Sequence, residues 1–389
     1  MSTGTPTGRA VRVHPRGPVR TPKNWIPAAG WLAAIGCMIH PMSADATNPP
    51  SPGMRILAAA GGVPTFRVAS SPEAAARQRT EVRSQLWQAL GKLPPRPAVP
   101  AVVVRERIDH GTWWEERFEF DNNAGSIVPG VLLLPKASKG KAPGILYCHW
   151  HGGEYDGGKK ELFEARHTPR APGPELVGRG YAVLAIDAPC FGERHGQGPD
   201  GERGGAGELS ASKLELWLGR SLWGMLLRDD LMALDYLCSR PEVDASRIGA
   251  TGISMGATRT WWLMALDERI KAGVAVACLT RYQDLVASHG LRYHGIYYYV
   301  PGFLGRFDTE AVVACVAPRS LLCLNGDRDS GSPASGILAI EKAAAPAWVV
   351  ERRPGEFRSI VYPGVGHEYT PEMWREMLGW MEQKLTNAP

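Results

Sequence analysis

From Pro143 onward the chain alternates short apolar runs with longer amphipathic stretches, and this alternation predicts its architecture. The runs GILYCHW, YAVLAID, RIGATGI, KAGVAVA, RSLLCLNG and RSIVYPG are too short for helices and are bounded by turn-forming residues, so each reads as a buried strand. Helical stretches lie between them. The longest is expected as one helix from Glu208 to Ser239, and the last, TPEMWREMLGWMEQKL, opens on Thr370 and Pro371 as its entry signal. Strand and helix in regular alternation predict the α/β class, with a mostly parallel central sheet flanked by helices.

Before Pro143 the period changes. AVVVRERI and WWEERFEF alternate polar with apolar residues, as paired strands with one polar face do, and SIVPGVLLLP continues them. Further upstream, SPEAAARQRTEVRSQLWQAL reads as a peripheral helix capped by Ser71, with Pro72 and Glu73 suited to its first turn. The Pro-rich stretches TNPPSPG and KLPPRPAVP flank it as linkers. The expected organisation is a leader over residues 1–46, a linker with a peripheral helix over 47–100, and one large domain over 101–387, with the early helix and strands as an N-terminal extension.

Charge refines this picture at one end only. The chain of 389 residues carries a formal net charge of +5, but the first 46 residues hold five of the 44 Lys and Arg and one of the 39 Asp and Glu. The remainder carries 39 against 38, a net charge of +1, which gives no reason to expect a nucleic-acid partner or an anionic surface. The leader has basic residues, an apolar run from Trp25 to Ile39, and small residues at Ala44 and Ala46, which is the layout of a secretory signal cleaved near Ala46. The expected location is periplasmic or secreted, with no membrane attachment once the leader is gone; acylation at Cys37 of AIGC is the lipoprotein alternative, and a disordered leader is another. Cys148, Cys278 and Cys323 sit inside apolar strand-like runs, so they read as small buried hydrophobes rather than a disulfide framework.

The chemistry concentrates in GISMGATRTWW. RIGATGI ends at Gly252 as a strand and a helical run begins after Ser254, which places that serine on a strand-to-helix turn within G-x-S-x-G. A hydroxyl in this position needs a base and the base needs an orienting carboxylate. LLCLNGDRDSGSP ends one later strand with Asp327 and Asp329, and VYPGVGHEYTP ends the next with His367. A further loop, HWHGGEYDGG, follows the strand GILYCHW; its Gly152 and Gly153 free the backbone to present amides to a developing negative charge. His149, His151, Glu154 and Asp156 could supply metal ligands, but a catalytic zinc needs a third ligand held in place and a serine mechanism needs no metal, so no metal and no other cofactor is expected.

With these residues assembled, the sequence resembles the α/β-hydrolase superfamily from about Pro143 to Leu385. Within it, RIGATGISMGATRTWWLMALDERIKA and HWHGGEYD look like the branch that holds acetyl xylan esterases and dienelactone-hydrolase-like proteins. The resemblance implies the α/β-hydrolase fold, with Ser254 as nucleophile, His367 as base and Asp329 as acid, in the order the superfamily uses. Asp329 is preferred over Asp327 because it completes a G-x-x-D arrangement; Asp327 and Asp284 stay open as alternatives. The oxyanion donors implied are the amides of Met255, Gly152 and Gly153. Dienelactone hydrolases proper use a cysteine where Ser254 stands, and glucuronoyl esterases carry an arginine where Met255 stands, so the chain departs from both.

Specificity is expected in the segment from Leu279 to Phe307. There Tyr297 and Tyr298, together with His151 of the glycine loop, are candidate substrate contacts, and packing of the tyrosines onto the core is the competing reading. A second polar loop, Asp187 to Gly207, is rich in glycine and is a candidate lid. The function implied is an exported serine carboxylic ester hydrolase for a small-molecule or polysaccharide ester, with an acetyl xylan-type carbohydrate esterase as the branch the resemblance suggests. The alternatives are a prolyl-oligopeptidase-like serine peptidase and a non-catalytic binding protein on the same fold.

Overall fold

The computed structural model of the protein describes residues 50–137 and 140–386; the leader, with Cys37 and the run from Trp25 to Ile39, lies outside them. Among the described residues, nine strands form one sheet: β1 (Val102–Asp109), β2 (Trp113–Asp121), β3 (Ile127–Pro135), β4 (Ala142–Cys148), β5 (Ala182–Ile186), β6 (Val243–Ile253), β7 (Ile270–Val276), β8 (Ser320–Gly326) and β9 (Phe357–Tyr362). Their spatial order is β1-β2-β3-β5-β4-β6-β7-β8-β9. The first three form an antiparallel meander that joins β5 antiparallel, and every pairing from β5 to β9 is parallel. The chain thus has the α/β-hydrolase architecture. β4, β5 and β8 are buried at every position, as strands covered on both faces must be.

The α-helices are α1 (Pro52–Ala59), α2 (Pro72–Leu90), α3 (Pro172–Gly178), α4 (Gly204–Trp217), α5 (Leu222–Ser239), α6 (Met255–Leu266), α7 (Tyr282–Ala287), α8 (Thr309–Ala314), α9 (Ala334–Ala344), α10 (Pro346–Val350) and α11 (Pro371–Met381). Alternation along the strands divides the core between the two faces of the sheet. Leu132 and Leu134 pack on the side of α2, α5 and α6, whereas Val131 and Leu133 pack on the side of α3 and α11. α6 is buried at every residue, including Trp261 and Trp262. Its one ion, Arg259, is matched by Asp230 of α5, with Nε donating to Oδ2 at 2.8 Å.

The structure departs from the sequence reading in two helices. The single helix expected from Glu208 to Ser239 is broken between Trp217 and Leu222. Gly219 turns the chain at φ +75°, and Ser221 caps α5 by accepting from the Gly224 amide at 3.0 Å. The linker before Ser71 contains α1, capped by Ser51 and started by Pro52, with no buried residue to give a periodic signal. The glycine-rich stretch after Asp187, read as a candidate lid, is cross-tied: Lys159 pairs with buried Asp187 at 2.6 Å, and Arg194 with buried Asp229 at 2.8 Å.

Candidate active site

β6 ends at Ile253 and α6 begins at Met255, leaving Ser254 alone on the turn with φ +58° and ψ −118°. An L-residue adopts that conformation only under constraint, and here the Ser254 amide is held by the Val276 carbonyl at 2.9 Å. The flanking glycines answer to one atom. A Cβ at Gly256 would stand 2.0 Å from the Cys148 carbonyl oxygen, and one at Gly252 2.2 Å from the same oxygen. Strand, turn and helix therefore close tightly over the end of β4, and the serine side chain is carried to the C-terminal edge of the sheet.

The loops after β8 and β9 bring the two partners. His367 Nε2 lies 2.8 Å from Ser254 Oγ, and His367 Nδ1 lies 2.7 Å from Asp329 Oδ2. A carboxylate only accepts, so the Nδ1 proton belongs to the bond with Asp329 and Nε2 is left to accept from the serine hydroxyl. Asp329 is 4% exposed, and its other oxygen accepts from the Gly331 amide at 2.8 Å. The other aspartates are occupied elsewhere. Asp327 accepts from the Gly364 amide at 2.7 Å, and Asp284 pairs with Arg281 at 2.9 Å.

The glycine loop sits beside this triad, with its amides divided between internal use and the cleft. Trp150 donates to Glu161 Oε2 at 2.8 Å, and Gly153 donates to His151 Nδ1 at 3.0 Å. The Gly153 amide, expected to serve an oxyanion, is thus committed within its own loop. The Gly152 amide and that of Met255, first residue of α6, have no partner among the described residues. Because Nδ1 of His151 accepts, its Nε2 carries the proton and donates to Glu208 Oε1 at 2.9 Å. Glu208, 57 positions away on α4, also accepts from Tyr155 Oη at 3.3 Å.

Beneath the loop, Glu161 accepts from the Tyr147 hydroxyl as well as from Trp150. Burial pushes its carboxyl up to about 7 despite these two donors. His149, which with His151 suggested a metal pair, is fully buried between the Trp150 carbonyl and the Ala188 amide, and burial holds it well below the usual histidine range.

An open cleft of about 630 Å³ adjoins the serine, lined among others by Gly152, Ser254, Arg292, Tyr297, Arg328 and His367. His151 and Tyr297 both line this cleft, their rings stacked with centroids 4.6 Å apart, although Tyr297 is almost fully buried in the core. Tyr298 does not line it. It is buried behind Tyr297, stacked on His294 at 4.0 Å, and lines a separate apolar cavity, which is the core-packing alternative. A smaller cavity of about 340 Å³, with Trp150, Arg166, His167 and Glu368, lies on the other side of His367. Glu208, Arg292 and Arg328 were not singled out from sequence; only Arg328, next to Asp329, had a positional signal.

Comparison with known proteins adds to this geometry. A model of the Abhydrolase family, Abhydrolase_7, matches residues 56–334. The Bacillus subtilis (strain 168) protein named "Putative hydrolase YtaP" is 35% identical over 311 residues, spanning 79% of this chain and 100% of that protein. Among solved structures, the glucuronoyl esterase from Solibacter usitatus superposes with a TM-score of 0.61 at 16% identity, covering 83% of this chain and 99% of that one. Acetyl xylan esterase 1 from Thermoanaerobacterium sp. JW/SL YS485 gives 0.55 at 18% identity, covering 82% and 96%. At these identities the two structures share the fold with this chain.

Proposed function

The chain belongs to the Abhydrolase family, and from that membership we propose that it is an exported serine carboxylic ester hydrolase, acting on a small-molecule or polysaccharide ester of the acetyl xylan type. The observation that carries the reading is the unbroken line of hydrogen bonds from Asp329 through His367 to Ser254, at 2.7 and 2.8 Å.

In the first step Ser254 Oγ attacks the ester carbonyl carbon as its proton passes to His367 Nε2. The carbonyl oxygen takes the negative charge, and the amides of Gly152 and Met255 are the donors for it. Collapse of the tetrahedral species expels the alcohol, which takes the proton from His367. Water then attacks the acyl-serine with His367 as base, releasing the acid and restoring the serine. Asp329 keeps the imidazole in the tautomer that can accept and stabilises the imidazolium. The glycine loop and the elbow meet at one spot because both rest on the end of β4.

The test is hydrolysis of p-nitrophenyl acetate and butyrate and of acetylated xylan by the protein from residue 47 onward, beside Ser254→Ala. Wild-type turnover that falls by roughly 10³-fold or more in the variant supports the reading. Equal, background-level rates on every ester would sink it, and cleavage of a peptide anilide instead would favour a peptidase. Export is checked by fractionating cells that express the full chain. Retention of the unprocessed chain in the cytoplasm would refute that part.

A further inference from the structure

We propose that the ester cleaved at Ser254 carries a free carboxylate near its scissile bond, and that Arg292 and Arg328 form the subsite for it. This rests on the ester-hydrolase reading above and names the substrate class for that site.

The argument starts from the charges that line the cleft. Among the described residues its one carboxylate is Asp329, whose two oxygens are taken by His367 and the Gly331 amide. His151 is already matched by Glu208 at 2.9 Å. His294 gives Nε2–H to the Gly331 carbonyl at 2.8 Å, and burial lowers its affinity for a second proton. What remains is two guanidinium groups without a counter-charge among the described residues.

Exposed arginines outside the cleft, such as Arg77, Arg352 and Arg375, likewise have no ion pair among the described residues; the exposed Arg292 and Arg328 differ in lining the cleft, whereas the arginines nearer the buried framework of the site are matched. Arg166 has Glu154, Arg194 has Asp229, Arg259 has Asp230 and Arg281 has both Asp284 and Glu310. The side chain of Arg328 makes no hydrogen bond or ion pair among the described residues, yet its backbone is fixed. Its amide donates to the Val365 carbonyl at 2.9 Å, which ties it to the loop carrying His367, and the next residue is Asp329. Arg292 lies over the ring of Tyr293, 5.0 Å from its centroid, and donates one Nη2–H to that hydroxyl at 2.9 Å. Its other N–H groups have no partner among the described residues. Arg292 is exposed, and its contact with Tyr293 narrows its rotamers while leaving donors free for an anion.

A guanidinium presents paired N–H donors that match a carboxylate, and two of them in a concavity add a favourable field for an incoming anion. The carboxylate can reside in the acyl part, as in a dicarboxylic acid monoester, or in the alcohol part, as in an acetylated uronic acid. The shared chemistry is a carboxylate held beside the ester carbonyl.

The experiment uses matched pairs of substrates on the protein from residue 47 onward. p-Nitrophenyl hemisuccinate against p-nitrophenyl butyrate probes the acyl side, and acetylated galacturonic acid against acetylated galactose probes the alcohol side. At low salt the anionic member is expected to have the higher kcat/KM by roughly tenfold in one pair, the scale of one charge-assisted contact. That preference should shrink as salt rises toward 1 M, where the screening length falls to about 3 Å. In Arg292→Ala/Arg328→Ala the ratio should fall to about one, with Arg328→Lys intermediate. Equal or reversed preference in both pairs, or a preference that survives the double substitution, would overturn the proposal. Calorimetric binding of succinate and galacturonate to Ser254→Ala separates the two readings. Hydrolysis without any anion preference sinks the subsite and leaves the esterase, whereas anion binding that the double substitution abolishes, in a protein inert on every ester, retains the subsite and sinks the esterase.

Discussion

Gly256→Ala isolates the close packing on which the elbow depends. The new Cβ would stand 2.0 Å from the Cys148 carbonyl oxygen, 2.9 Å from its carbon and 3.1 Å from the His149 oxygen. Contact distances near 3.5 Å require about 1 Å or more of relief, and all three atoms are backbone of the sheet's central region. α6 must therefore move away from β4. Overpacking of this kind costs about 1–3 kcal/mol, and with no flexible side chain to yield the upper end applies. The gain in helix propensity returns at most about 1 kcal/mol, leaving a loss of about 2 kcal/mol. With an unfolding entropy of about 2.1 cal/mol/K per residue, a domain of roughly 340 residues shifts by about 1.4 °C per kcal/mol, so Tm should fall by roughly 3 °C. Ser254 immediately precedes that helix, so the same shift displaces its Oγ from His367 and should lower kcat about a hundredfold, the scale of a 1 Å misplacement. Gly379→Ala is the matched control: it lies exposed in α11 with nothing within 4 Å of its Cβ position, and should raise stability by about 0.5–1 kcal/mol. Thermal unfolding and p-nitrophenyl acetate turnover of both variants test this. If Gly256→Ala keeps wild-type Tm and kcat, the reasoning from the Cys148 carbonyl is wrong.

Asp329→Asn should lower kcat/KM by about 10³–10⁴-fold because the imidazole loses both its tautomer and its counter-charge, whereas Asp327→Asn should stay near wild type; the reverse result would move the acid to Asp327. Glu208→Ala should reduce kcat about tenfold with little change in KM, since it frees His151 and with it the loop that bears Gly152; a rise in KM alone would make His151 a substrate contact instead. Glu161 is raised from 4.5 to about 7, so the fold favours its protonated form, and that stability is present below the unfolded value and lost as pH rises through about 7. The shift corresponds to about 3 kcal/mol, so Glu161→Gln should flatten the fall in urea midpoint between pH 4 and 8, and an unchanged profile would refute the assignment.

The strand assignments made from apolar runs correspond to strands of the sheet because burial on both faces leaves a continuous signal that no helix of that length would carry. Ser254, Asp329 and His367 were legible for a related reason: each stands at the end of a legible strand, so chain order alone places them on one edge of the sheet. The break between α4 and α5 was missed because apolar residues continue through Leu218, and only Gly219 and Ser221 mark the stop and restart. α1 escaped notice because it buries nothing.

The second tier of the site could not be read in the same way. Glu208 belongs with His151 only because α4 crosses back over the glycine loop, a separation of 57 residues that no local pattern encodes. Gly153 illustrates the converse. Glycines in a loop after a strand predict freedom of backbone, but not which amide is spent on a neighbouring ring and which is left over; that division follows from the His151 tautomer, which Glu208 sets. Arg292 and Arg328 are the extreme case, because a lone arginine in a polar loop is indistinguishable in sequence from a solvated one. Their meaning arises only when the carboxylates around them are found to be engaged elsewhere. Residues placed by strand ends were legible one at a time, whereas those defined by what their neighbours already hold required the whole cleft.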